Sequence, residues 1–184
     1  MGGSFNPAHQ GHRKLSVLAL KRLRLDQVWW LVSPQNPLKS SFGMAPLAER
    51  LRAARKLATH PRIRVTDLER RLGTRYTVDT LSALRRRCRD QRFVWLMGAD
   101  NLVQLRHWYR WTRIFALASV AVFDRPGETW RALASLPARR FRHRRVAAAR
   151  SGSLASRRLP AWTLLHGVND PTSATALRAR QHAR

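Results

Sequence analysis

His9 and His12 stand three residues apart near the start of the chain, with Gly11 between them. Imidazole N–H groups donate to phosphate oxygens, and either ring can carry a proton while negative charge builds on a departing pyrophosphate. A spacing of three puts both rings on one side once helical geometry begins. Gly2 and Gly3 let backbone N–H groups approach an anion closely, Pro7 stiffens the turn, and a helix beginning near His12 aims its positive end at the same place. Gly11 leaves room for a ligand. Two histidines in a polar turn would by themselves be surface residues, so the weight falls on the longer string GGSFNPAHQGH (2–12). A chance match to its fixed positions is on the order of one in a billion per start position at average residue usage.

A site of this kind needs a strand before it and a helix after it, and the remaining sequence alternates accordingly. The apolar spacing predicts a helix over about 13–24, carrying Leu15, Leu18, Ala19 and Leu23, and a buried strand at VWWLV (28–32). Pro46 suits a first helical position, followed by Leu47, Leu51, Ala54 and Leu57. IRVTDL (63–68) reads as a strand, Thr77 as the cap of a helix with Val78, Leu81 and Leu84, and FVWLM (93–97) and SVAVF (119–123) as strands. WTLLH (162–166) and a short helix from about Ser173 close the chain, and the Arg-rich stretch from about Arg125 to Pro160 is the least predictable. Strands apolar throughout, separated by helices, indicate an α/β doubly wound, mostly parallel sheet in one domain spanning 1–184. Ligands in such folds bind outside the carboxyl ends of the strands.

Composition excludes some classes. Cys88 is the single cysteine, so no intramolecular disulfide forms and a reducing compartment is expected. The longest apolar run, IFALASVAVF (114–123), is too short to span a bilayer, and no signal-peptide pattern is visible. A cytoplasmic protein with no membrane partner is expected. The formal charge of +26 attracts polyanions. Lysine occurs only at Lys14, Lys21, Lys39 and Lys56, so the excess is overwhelmingly arginine. RRRCRDQR (85–92) and RRFRHRR (139–145) read as solvated faces, and Cys88 as an inert thiol on one of them.

GGSFNPAHQGH resembles the HxGH signature of the nucleotidyltransferase superfamily, and within it the bacterial nicotinate-nucleotide adenylyltransferase family. SPQNPLK (33–39), RYTVDTL (75–81), MGADN (97–101), HWYRW (107–111) and TSATALR (172–178) are similar to further motifs of that family, in the same order. The resemblance implies adenylyl transfer from ATP, with Mg²⁺, to nicotinate mononucleotide. It implies His9 and His12 as the catalytic pair. ATP would be bound by Gly2, Gly3, Ser4, Phe5, His9, Gly11, His12, Lys39, Gly98, Asp100, Ser173, Thr175 and Arg178. Lys39 and Arg178 would hold phosphates, Arg178 with a bidentate fork; Ser173 and Thr175 would add hydroxyls, and Asp100 would accept ribose hydroxyls. The mononucleotide would meet Asn36, Thr77, Trp108 and Tyr109, with Trp108 stacked on the pyridine ring. By propensity alone, Trp108 and Tyr109 are core residues.

Leu38 stands where the family has histidine, and Ala174 replaces a serine. The family also has a short apolar strand before the glycines, at the sheet centre. That strand is expected to be missing here, with the sequence starting at an internal Met from its end. Two rival readings remain: pantetheine-phosphate adenylyltransferase, against which YTVDT and HWY weigh, and a non-catalytic basic RNA-binding protein on the same fold. Intact His9, His12, Asp100 and Arg178 weigh against nucleic acid as a specific partner. Oligomeric state is left open.

Overall fold

The computed structural model describes residues 1–34, 43–124 and 127–167. The first half runs β1 (Gly2–Gly3), α1 (Gln10–Arg22), β2 (Val28–Val32), α2 (Leu47–Leu57), β3 (Ile63–Thr66), α3 (Leu68–Leu72) and α4 (Thr77–Arg87). The second half runs β4 (Val94–Gly98), α5 (Ala99–Gln104), α6 (Trp111–Leu117), β5 (Ser119–Phe123), α7 (Thr129–Ala134), α8 (Leu136–Arg140) and β6 (Trp162–Leu165). Short 3₁₀ segments include Leu105–His107 and Ala148–Ser156.

All strand pairs are parallel, in the orders β1-β2-β3 and β4-β5-β6. Alternate residues of both three-stranded units feed the same two cores. Trp30, Val32, Leu96, Ala121, Phe123 and Leu165 pack with Leu15 and Ala19 of α1, with Leu23 at its C-cap and with Leu51 and Ala54 of α2. Leu31, Trp95, Met97, Val120, Val122 and Leu164 pack with Val78 and Leu81 of α4, Leu102 of α5, and Ile114 and Phe115 of α6. The two units therefore act as one layer with helices on both faces, which is why their strands read as continuous apolar runs. Each such Leu or Phe, fully buried, contributes about 1.5–3 kcal/mol.

Where the sequence leads one to expect no first strand, the two glycines themselves pair, Gly2 with Leu31 and Gly3 with Val32. Glycine is required at Gly2: a Cβ there would lie 2.9 Å from Cη2 of Trp95, the β4 side chain that closes against β1. Other boundaries differ by a residue or two. α1 begins at Gln10 rather than near Arg13, Pro46 caps α2 from outside its first turn, and α4 is capped by Tyr76, with Thr77 as its first residue. β3 ends at Thr66, and Leu68 opens α3. The run 114–123 is divided, its first part ending α6 and SVAVF forming β5. The stretch after Gly127 folds as α7, α8 and 3₁₀ turns. The arginines of 85–92 and 139–145 are exposed, as expected of solvated faces. Among the described residues no helix is long and apolar enough to cross a membrane.

Candidate active site

The loop leaving β1 turns at Phe5, whose φ of 47° lies in the left-handed region. Such a conformation costs a non-glycine residue roughly 1–3 kcal/mol and persists only where the surroundings over-determine it. Here the ring does so: Phe5 is buried, stacks on Trp30 with centroids 5.2 Å apart, and lies 4.8 Å from the His12 ring. His9 is the N-cap of α1, and His12 sits in the helix's first turn. The backbone N–H of His9 donates to Nδ1 of His12 at 3.1 Å, the returning arm of a capping box. Because Nδ1 accepts, the neutral imidazole of His12 carries its proton on Nε2, and Nε2–H is the donor it can offer a ligand oxygen.

A second layer holds the backbone at this residue, and the Trp30 ring lies 5.9 Å from the His12 ring. The indole N–H of Trp30 donates to Oγ of Ser16 at 2.8 Å, and Ser16 Oγ–H donates to the carbonyl of His12 at 2.8 Å. The His9 ring is buried, its centroid 3.8 Å from that of His12. Backbone N–H groups of the first turn of α1, at the positive end of the helix dipole, therefore stand beside two oriented imidazoles. Chemically this arrangement can receive an anion and offer it a hydrogen-bond donor.

The surrounding loops are tied by Arg50 of α2, which is 3 % exposed. Its Nε donates to the Ala45 carbonyl at 2.8 Å, Nη1 to those of Ser4 and Ser33 at 2.7 Å each, and Nη2 to that of Pro34 at 2.9 Å. Burial lowers its pKa from the usual guanidinium value. Asn6 adds two bonds, Nδ2 donating to the Gly43 carbonyl and Oδ1 accepting from Ala45 N–H. Ser33, at the carboxyl end of β2, donates its backbone N–H to Gly3 and its hydroxyl to Glu69 Oε2 at 2.6 Å. Burial raises the Glu69 carboxyl above the ordinary value, with the Ser33 hydroxyl and the Met1 amino group pulling the other way.

A different surface forms where the start of α4 meets the segment before α6. The rings of Tyr76 and Tyr109 lie 4.8 Å apart, with the Arg110 guanidinium 5.0 Å from the Tyr109 centroid and that of Arg75 6.0 Å from Tyr76. Tyr109 is 45 % exposed. Trp108 is half-buried against the core on that face. Aromatic faces with cations beside them suit a planar, negatively charged ring. Asp100 lies in the first turn of α5, just after Gly98 ends β4.

Residues 1–180 match the family model described as cytidylyltransferase-like. The chain belongs to this family. Within it, "Probable nicotinate-nucleotide adenylyltransferase" of Bradyrhizobium sp. (strain ORS 278) is 53 % identical over 97 % of this chain and 93 % of its own length. The protein of the same name from Rhizobium meliloti (strain 1021) is 51 % identical over 97 % and 95 %. Among solved structures, Plasmodium falciparum nicotinic acid mononucleotide adenylyltransferase, complexed with APC and with NaAD, aligns with a TM-score of 0.70 over 97 % of this chain and 80 % of that one. At 14 % identity that likeness is one of fold.

For this cytidylyltransferase-like chain, Gly2, Gly3, Ser4, Phe5, His9, Gly11 and His12 form one tied cluster, and the Thr77 and Tyr109 segments meet through the Tyr76–Tyr109 contact. Tyr109 is not core. Asn36, Lys39, Ser173, Thr175 and Arg178, like Leu38 and Ala174, lie outside the described residues. Sequence reasoning missed Arg50, Ser16, Trp30 and Tyr76. An arginine inside the apolar spacing of α2 was the visible signal for Arg50, whereas Ser16 and Tyr76 differ in no way from surface residues until the fold brings their partners.

Proposed function

We propose that this chain transfers the adenylyl group of ATP to nicotinate mononucleotide, giving nicotinate adenine dinucleotide and pyrophosphate in NAD biosynthesis. The observation that carries the reading is the fixed tautomer of His12: a Nε2–H donor held beside the N-terminus of α1 and supported by Ser16 and Trp30. The names of relatives about half identical over nearly the whole chain support the choice of substrates.

A phosphate oxygen of the mononucleotide bonds to the α-phosphorus of ATP, the bridge to the β-phosphate breaks, and pyrophosphate carries away the electron pair. No protein nucleophile is needed. The chain positions two polyanions and stabilises the charge moving onto the leaving group. His12, with His9 beside it, donates to the reacting phosphates, and the first-turn N–H groups and Gly3 receive them. Asp100 accepts ribose hydroxyls. Thr77, Trp108 and Tyr109, with Tyr76, hold the pyridine nucleotide, and Asn36, Lys39, Ser173, Thr175 and Arg178 complete the site. Mg²⁺ would come with the nucleotide and would supply neutralisation of the phosphate charge, while His12, the first-turn N–H groups and Lys39 and Arg178 position the phosphates. Such an enzyme works in the cytoplasm, where both nucleotides are at hand.

The test is pyrophosphate release by the purified chain with Mg·ATP and, in separate reactions, nicotinate mononucleotide, nicotinamide mononucleotide and phosphopantetheine. Release with the first at least tenfold above the others is expected. Preference for phosphopantetheine, or no release with any acceptor, would falsify the assignment.

A further inference from the structure

The far end of α1 carries a second concentration of positive charge. Lys21 and Arg22 close the helix, Arg24 follows it, and Arg150 and Arg157 approach from the 3₁₀ segment Ala148–Ser156 and its C-cap. Together with Ser153 they line an open cavity of about 770 Å³ whose walls, among the described residues, include no carboxylate and no aromatic ring. Along the helix axis Arg22 lies about 15 Å from His12, at 1.5 Å per residue. This cavity is therefore separate from the imidazole site.

A helix end explains part of this charge and no more. Lys21 and Arg22 complement the negative end of the α1 dipole. Arg24, Arg150 and Arg157 lie outside the helix, and bringing them beside two further cations costs free energy that no described carboxylate in the lining offsets. Two of them are nevertheless held in place. Arg24 has a φ of 52°, and its side chain lies along Gly152, where a Cβ would come within 3.2 Å of its Nε. Nε of Arg157 donates to Oγ of Ser153 at 3.2 Å. The buried Ser151 hydroxyl donates to the Arg22 carbonyl at 3.2 Å, joining two segments 129 residues apart in sequence.

We propose that this cavity binds an oligophosphate, recognised through its phosphates alone. Four guanidinium forks and an ammonium offer bidentate and point donors to a chain of phosphate oxygens. The volume is that of an ordinary small-molecule site. With no ring among the described lining residues, a nucleobase finds nothing there to stack on, which separates the site from a single-strand nucleic-acid groove. An inorganic oligophosphate and the tail of a nucleoside triphosphate share this chemistry.

Calorimetric titration of the full chain with tripolyphosphate tests it. Two sites per chain are expected, and Arg150→Glu with Arg157→Glu should weaken one of them by at least about tenfold. Gly152→Ala, which displaces the Arg24 side chain at constant charge, should weaken the same site several-fold, and it keeps the test open if the double variant fails to fold. Both variants should keep kcat within about twofold of wild type. The comparison of variant with wild type reads the cavity whether or not the chain adenylylates anything. ATP binding there no more tightly than tripolyphosphate would support recognition by phosphate alone, with AMP failing to bind; ATP binding far more tightly would overturn it. The proposal is also overturned if tripolyphosphate titrations of wild type and both variants coincide, or if a 20-nucleotide oligouridylate displaces tripolyphosphate at lower concentration.

Discussion

The imidazole turn and the aromatic surface are built by opposite means. On the imidazole side every group is tied: Phe5 is wedged between Trp30 and His12, Ser16 bridges Trp30 to the His12 carbonyl, and one buried guanidinium holds four loop carbonyls. On the aromatic side the contacts are faces of rings and overhanging arginines, with Tyr109 nearly half exposed. Transition-state stabilisation needs donors fixed before charge moves. Recognition of a planar ring needs area that can adjust. If the proposed function holds, the difference predicts chemistry on the tied side and acceptor choice on the open one, so that variants on the two sides should change different kinetic constants.

The largest effect is expected at His12. His12→Ala should lower kcat by about 10²–10³ while moving KM for ATP little, because its N–H strengthens its contact as pyrophosphate departs. Steady-state kinetics at saturating acceptor would show it, and an unchanged kcat would remove His12 from the reaction. Next comes Arg50. Arg50→Ala strands carbonyls that now accept from a guanidinium, and should destabilise the fold by about 3 kcal/mol in urea unfolding. Arg50→Lys keeps the charge but gathers three donors on one nitrogen, which cannot reach acceptors from Ser4, Ser33, Pro34 and Ala45 together. It should recover part of the stability and still lose about tenfold in kcat; full recovery of both would show that charge and not geometry ties the loops.

This contrast was unevenly legible in the sequence. The tied side announces itself through types and spacing, because glycines, a helix start and imidazoles fall within a dozen residues. β2 and β5 were legible to the residue, since burial on both faces leaves only apolar side chains. What holds the turn was not legible. Ser16 bonds a neighbour fourteen residues away and Arg50 one forty-six residues away, and no local pattern encodes contacts made by folding. The Thr77 cap was misplaced by one residue because Thr is the better capping type, yet Tyr76 takes that position and turns its ring to Tyr109.

On the open side, Tyr109→Ala should raise KM for the mononucleotide about tenfold, the worth of one aromatic contact, and leave kcat within twofold. ATP kinetics should not move. A matching fall in kcat would mean that the aromatic face orients the attacking phosphate as well as holding the ring, which would erase the division between the two sides.

The smallest effect on activity is expected at Glu69, which meets the site through the Ser33 hydroxyl. Its carboxyl is raised by burial, so the folded chain holds this proton more tightly than the unfolded one. The resulting stability is complete below the unfolded value near 4.5 and is lost as pH rises through the raised folded value. Glu69→Gln keeps an oxygen for Ser33 and cannot ionise. Its stability relative to wild type should therefore rise between pH 4 and pH 7 in urea unfolding, with kcat nearly constant. Parallel curves over that range would show that Glu69 titrates no differently in the folded chain, and a large fall in kcat would make the Ser33 contact part of the tied side.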